Sequence, residues 1–245
     1  MLDRTIPFYN TILRCDNYRR KDVVLPEGFS IVPYKCGYEK AWAALEYSIG
    51  DFASMEEAEN YFTATYLQKP ELFGRIFFLT NKDDEVVGSC IAWQDERRDG
   101  NILSLTDEAT NSCIAWKDER KDGNILSLTD EATSSCIAWK DERRGSMVSS
   151  LHWLIVTEKY QGLGLGKALC CAVMNIFEEE GTFPVYIHTQ PWSFKAIFLY
   201  LSLGFKLQKN DTFSHYENEY YKAMAALKKV VTKEQFELLQ QLSEE

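Results

Sequence analysis

The chain has 245 residues, 45% of them hydrophobic, and a formal net charge of −10. That length supports one large core, or one domain with additions, and the acidic balance excludes recognition of nucleic acid through a basic surface. No apolar run approaches the ~20 residues of a membrane helix, and seven cysteines without framework spacing read as reduced thiols in a cytoplasm.

Residues 1–28 read as a lead-in that lacks a signal-peptide core and closes on the turn Leu25-Pro26-Glu27-Gly28. Phe29–Tyr34 reads as a first strand, and Gly37–Ile49 has helical periodicity. A second helix, Ser54–Gln68, opens on a Ser-x-x-Glu capping box formed by Ser54 and Glu57. Glu46, Asp51, Glu56 and Glu57 fall here and would suit a cationic amine, although a solvated helix face and cap account for them as well. Arg75–Thr80 and Glu85–Trp93 read as strands joined by a polar turn.

A repeat follows. Ser-Cys-Ile-Ala-Trp begins at Ser89, Ser112 and Ser135, a spacing of 23 residues. The first two copies differ only at Gln94/Lys117, Arg98/Lys121 and Asn111/Ser134, and the third breaks off at Gly145. Deleting 89–134 would leave a plain strand, turn and strand, so the segment reads as duplicated strand-turn units inserted between two sheet strands of a single domain. Two units are too few for a self-capping solenoid, and a loop tip tolerates such an insertion. Three near-identical strands compete for one slot, so the spare copies are expected to extend a sheet edge and to support a homodimer.

The most informative stretch is 154–166, LIVTEKYQGLGLG. A strand, Ser150–Val156, runs into a glycine-rich turn that opens an amphipathic helix, Gly164–Glu180. Glycines permit close backbone approach, and free N–H groups at a helix start form an anion site. Lys167 adds charge, so the stretch suits a pyrophosphate. A P-loop is excluded because Ala168 follows Lys167 where a hydroxyl is needed. A dinucleotide fingerprint fits poorly, because the acidic residue expected about 20 positions on would fall at Glu178–Glu180, on the same helix. Pro184–Thr189 is a further strand, Ser193–Leu203 a helix and Phe205–Gln208 a short strand. Residues 216–245 read as a helical extension, Tyr216–Val231 and Lys233–Leu242.

Gln161, Gly164 and Gly166 match the Q/R-x-x-G-x-G/A loop, and Ala196, Leu199, Tyr200, Gly204 and Phe205 match the later helix, of the GNAT superfamily of N-acetyltransferases. The chain resembles a bacterial branch of that family over roughly residues 29–92 and 147–210. The resemblance implies a mixed α/β fold: a mostly antiparallel sheet, flanked by helices, with a bulged, splayed cofactor strand. It implies acetyl-CoA as cofactor, with Leu154 and Val156 offering backbone groups to the pantetheine. Gln161, Gly162, Gly164, Gly166 and Lys167 would hold the pyrophosphate, and Ser193 stands where the family has Asn. Tyr200 would serve the departing thiolate.

The base is open. Ser150 lies near the place of a family Glu, so that Glu is absent. By alternation Ser150, His152, Leu154 and Val156 would share a face, which makes His152 a candidate base; His188, on the next strand, is another. Trp153 and Trp192 would wall a pocket or pack in the core. The implied activity is acetyl transfer to a primary amine of a small molecule, by direct attack in a ternary complex. A protein or peptide acceptor, and a non-catalytic CoA-binding module using the repeat as an interaction arm, are the alternatives.

Overall fold

The computed structural model describes residues 5–96 and 147–245. In chain order the elements are β1 (Thr11–Cys15), β2 (Ser30–Pro33), α1 (Tyr38–Ser48), α2 (Met55–Phe62), β3 (Ile76–Thr80), β4 (Val86–Glu96) and β5 (Met147–Val156). Then come α3 (Leu165–Glu180), β6 (Val185–Thr189), α4 (Phe194–Leu203), β7 (Lys206–Gln208), α5 (Tyr220–Leu227), α6 (Lys233–Gln241) and β8 (Ser243–Glu244). The strands form one mixed sheet in the order β2-β3-β4-β5-β6-β1-β7-β8. Only β5–β6 and β7–β8 are parallel; the other neighbours are antiparallel.

Helices cover both faces. On one side Leu169, Met174 and Phe177 of α3 and Leu201 of α4 pack with Leu13, Ile187 and Phe205. On the other, Trp42 of α1, Phe62 of α2 and Tyr66 pack with Phe78 and Ile91 of the sheet. Each such buried side chain contributes about 1.5–3 kcal/mol of transfer free energy. Ser54 caps α2 by accepting from Glu57 N–H at 3.0 Å, and the Glu57 carboxylate accepts from Ala53 N–H at 2.9 Å. The reciprocal half of the expected capping box therefore falls one residue upstream. After Phe62 the helix loosens into a π-turn, Thr63–Leu67, which turns Tyr66 inward.

Two ends of the chain depart from expectation. The lead-in contains β1, a strand in the middle of the sheet, antiparallel to both β6 and β7. Ile12, Leu13 and Cys15 are fully buried, the continuous pattern of a strand covered on both faces rather than an alternating one. Arg14 interrupts that run, and its guanidinium bonds Asp16, Asp211 and Glu244. The extension, in turn, is not helical from Tyr216. Asn218 Nδ2 bonds the carbonyls of Gln208 and Asp211 at 2.9 and 2.8 Å, which holds the segment as a loop until α5 starts at Tyr220. After α6, with its Thr232–Gln235 capping box, the last residues form β8 beside β7.

The first Ser-Cys-Ile-Ala-Trp copy supplies the middle of β4, which pairs with β5 as far as Glu96 opposite Met147. The later copies lie outside the described residues, and with them the expected edge extension and dimer contact. No helix among the described residues is long and apolar enough to cross a membrane. Cys15, Cys36, Cys90, Cys170 and Cys171 are free thiols, all but Cys36 buried.

Candidate active site

The site begins with a defect in β5. Ser89 pairs with Ile155 and Ile91 with His152, so two residues of β5, Trp153 and Leu154, oppose the single Cys90 of β4. Trp153 takes a positive φ of 52° at this bulge. A bulge bends its strand and increases its twist. Accordingly β5 pairs with β6 only at Ser149 and Ser150, and beyond them the strands splay. Behind the bulge β4 comes close at Gly88, where a Cβ would lie 2.6 Å from the Ile155 carbonyl oxygen.

The bulge also corrects the expected alternation. His152 lies 5.9 Å from the Trp93 ring, and Trp93 and Trp153 both pack toward α1 and α2. Leu154 and Val156 pack on the opposite side, with α3 and α4. His152 therefore does not share a face with Leu154 and Val156, because the extra residue shifts the period-two pattern by one.

Past the bulge, β5 presents a free edge. Thr157 N–H donates to Val87 O at 2.9 Å, so the backbone groups of Val156, and by alternation Leu154, point away from β4 into the splay. The Val156 carbonyl accepts from Gln161 Nε2 at 2.9 Å. The chain then turns through Gly162 and Gly164, both at φ 82°, a conformation that favours glycine. Gly164 is the N-cap of α3 and no side chain caps that helix. The first helical bond is Ala168 N–H to Gly164 O, which leaves earlier N–H groups directed outward as an anion cradle. Lys167 is exposed beside it, and Gly166 sits against Leu199 and Val156.

A cleft of about 890 Å³ joins this edge to the opposite wall. Leu154, Val156, Gln161, Gly162, Gly164, Gly166, Lys167, Ser193 and Tyr200 all line it. Ser193 Oγ accepts from Gln190 Nε2 at 3.2 Å and sits at the start of α4. Tyr200 is 5% exposed, and burial, with Cys170 and Cys90 adjacent, holds its phenol well above the ordinary range.

The far end of the cleft is lined by Glu46, Asp51, Tyr61, His152 and Trp153 on one side, and by Phe8, His188, Trp192 and Tyr216 on the other. Trp153 Nε1 donates to Tyr66 Oη at 2.7 Å. His188 Nε2 lies 2.8 Å from Asn10 Oδ1, and its ring stacks on Tyr216 at 3.7 Å. Burial, with His188 and His215 as neighbouring charges, pushes His152 down to about 3. Burial and His215 push His188 down to about 4. Both imidazoles are neutral at pH 7. Glu46 moves the other way: burial, then Asp51, raises it to about 8.

A profile described as the acetyltransferase (GNAT) family matches residues 41–205. The chain belongs to the GNAT family. No curated protein sequence matches it. Among solved structures it is similar to a GCN5-related N-acetyltransferase from Sphaerobacter thermophilus, with 16% identity, 82% of this chain and 48% of that chain covered, and a TM-score of 0.50. It is also similar to a GNAT-family acetyltransferase from Colwellia psychrerythraea, with 11% identity, 82% and 54% covered, TM-score 0.48. A third is glucosamine-6-phosphate N-acetyltransferase from Arabidopsis thaliana, with 12% identity, 79% and 99% covered, TM-score 0.44. The chain spans about half the length of the Sphaerobacter protein, and the likeness to it is one of fold.

Within this GNAT cleft, sequence reasoning missed Phe8, Tyr61 and Tyr216, which line it from distant segments, and Asn10, which bonds the lining His188. Of the two readings of Glu46, an acid suited to a cationic amine or part of a solvated helix face, the second does not fit, because the residue is 1% exposed. A signal for it existed. Trp42, Leu45 and Glu46 recur at the spacing of a buried helical stripe, so the carboxyl falls on the apolar face of α1. Glu56 and Glu57 are solvent-exposed, as the helix-face reading expected.

Proposed function

We propose that this GNAT chain is an acetyl-CoA-dependent N-acetyltransferase that acetylates a primary amine of a small molecule by direct attack in a ternary complex. The observation that carries the reading is the continuity of the cleft: a free strand edge and an uncapped helix start line one end, and carboxyl groups and aromatic rings line the other. One space for both reactants is what direct transfer needs.

The residues fit the cofactor. Leu154 and Val156 turn backbone groups toward the place of a pantetheine arm, the Val156 carbonyl already accepting from Gln161, and the turn through Gly162, Gly164 and Gly166 offers N–H groups to a pyrophosphate beside Lys167. Ser193 adds a hydroxyl at the start of α4. Bound acetyl-CoA would supply an acyl group activated as a thioester. Tyr200 keeps its proton at neutral pH and can donate it to the sulfur as the C–S bond breaks. His152 and His188 border the same opening, but burial has removed most of their affinity for a proton, so either can only relay one in passing.

The test is calorimetric titration with acetyl-CoA, followed by thiol release with a panel of small amines, aminosugars and lysine peptides. The expected result is saturable binding and release that depends on a small amine. A folded sample that binds no acetyl-CoA overturns the reading, and release driven only by peptides transfers it to a protein acceptor.

A further inference from the structure

Glu46 is a buried carboxyl with an unsatisfied oxygen. Its Oε1 is sealed from solvent and has no hydrogen-bond partner among the described residues, yet the side chain lines the cleft. An unpaired buried carboxylate costs several kcal/mol, which a cationic ligand would offset. The groups around it make that end a cation site. Asp51, on the turn after α1, lines the cleft and adds negative charge. From α2 and its π-turn come Tyr61 and Tyr66, and Tyr66 is held protonated by burial, with Tyr61 the next cause. From β5 comes His152, neutral at pH 7. The lysines that line the cleft, Lys167 and Lys195, come from the first turns of α3 and α4, not from the elements that carry Glu46, Asp51, Tyr61 and His152.

Beside the carboxyl stands a wall of rings. Tyr61 and Trp153 meet edge-on at 5.7 Å, and Phe52 packs against both, at 5.4 and 5.8 Å. The hydrogen bond from Trp153 to Tyr66 fixes the indole. Ring faces next to a carboxylate favour a cation and give a flat apolar body something to pack against.

We propose that Glu46 is the carboxylate that binds the acceptor's ammonium and takes its proton, and that the acceptor is a primary amine on a flat apolar body packed against Tyr61 and Trp153. This rests on the N-acetyltransferase reading. In the step itself the ammonium N–H bond breaks, its electron pair stays on nitrogen as the attacking lone pair, and the proton forms an O–H bond on Glu46. That proton then leaves to solvent. In the free protein burial keeps Glu46 protonated at pH 7, so the ammonium must first displace that proton to leave the carboxylate.

The test uses the full chain without acetyl-CoA, so it does not depend on turnover. Titration of 2-phenylethylamine at pH 7 is followed by Trp fluorescence, and by calorimetry in buffers of different ionisation enthalpy. Binding is expected to expel about one proton from Glu46, and E46Q is expected to weaken the amine by roughly tenfold or more while leaving CoA affinity unchanged. Methylamine and 2-phenylethanol are each expected to bind at least about tenfold more weakly than 2-phenylethylamine, the first lacking the ring and the second the charge. Absence of proton release, or equal amine affinity in E46Q, overturns the role of Glu46. Methylamine binding as tightly as 2-phenylethylamine overturns the flat-body class. The proton count needs no variant, so a poorly folded E46Q leaves the proposal exposed. Failure of CoA to bind would instead strike the N-acetyltransferase reading alone.

Discussion

The two ends of the cleft are built in opposite ways. The end proposed for the cofactor is nearly contiguous: the residues from Leu154 to Lys167 supply a strand edge, a turn and a helix start. Its groups are mostly backbone N–H and C=O, placed by a bulge and two positive-φ glycines. The end proposed for the acceptor draws Phe8, Glu46, Tyr61, Trp153, His188 and Tyr216 from six separate segments. Its groups are buried side chains, and desolvation drives Glu46 up and the two histidines down, so all three are neutral in the resting protein. Anion binding can be written into a short local motif. A pocket for an amine of one shape depends on the whole fold.

The comparison breaks most severely at Gly88, which serves both ends. A Cβ there would meet the Ile155 carbonyl at 2.6 Å, backbone that cannot swing aside. Gly88→Val is expected to cost about 3 kcal/mol in urea unfolding and to weaken acetyl-CoA and amine binding together. If only one of them weakens, the bulge is not what sets both ends. Tyr200→Phe isolates the cofactor end. Turnover should fall roughly 10²-fold with CoA affinity unchanged, and an unaltered rate would remove Tyr200 from the chemistry.

What could be read from the sequence divides along the same line. Gln161, Gly162, Gly164 and Lys167 stand close together in the chain, and the fold keeps them together. The bulge was implied by family likeness, but its consequence for His152 was not legible. Nothing in the alternating residues 150–156 marks the one extra residue that moves His152 away from Leu154. β1 was missed for a different reason. A strand buried on both faces has no alternation, and Arg14 in its centre reads as surface until Asp211 and Glu244 are brought to it. Glu46 admitted two readings, amine site or solvated face, and its spacing from Trp42 and Leu45, the stripe that α1 buries, decides against the second.

Within the acceptor end, pH separates the two kinds of buried group. His188 is neutral in the fold, at about 4 against an ordinary 6.5. The unfolded chain binds the proton first, so this stability is complete above pH 6.5 and is lost as pH falls toward 4. By pH 5 the loss is about 2 kcal/mol. His188→Gln should flatten that acid limb in urea unfolding. Glu46, raised to about 8 from 4.5, acts with the opposite sign: its contribution is full below pH 4.5 and is lost as pH rises through 8. E46Q should therefore gain on the parent chain as pH increases. Parallel pH slopes for the two variants would mean that the histidine and the carboxyl do not share the desolvated wall described here.

The smallest effect belongs to the turn. Gly162 has φ 82°, but a Cβ there would meet nothing within 4 Å. The obstacle to a side chain is the backbone conformation alone, worth about 1 kcal/mol, because there is no neighbour to strike. Gly162→Ala should thus lower stability by about that amount and reduce CoA affinity only if its N–H must move to relieve the strain. Gly164 has the same φ but is also the N-cap of α3, so Gly164→Ala carries the same strain directly to the helix start. CoA affinity should fall further for Gly164→Ala than for Gly162→Ala in matched calorimetric titrations. Equal losses would show that the turn holds the pyrophosphate as a whole. A larger loss at Gly162 would move the cradle from the helix start into the preceding loop.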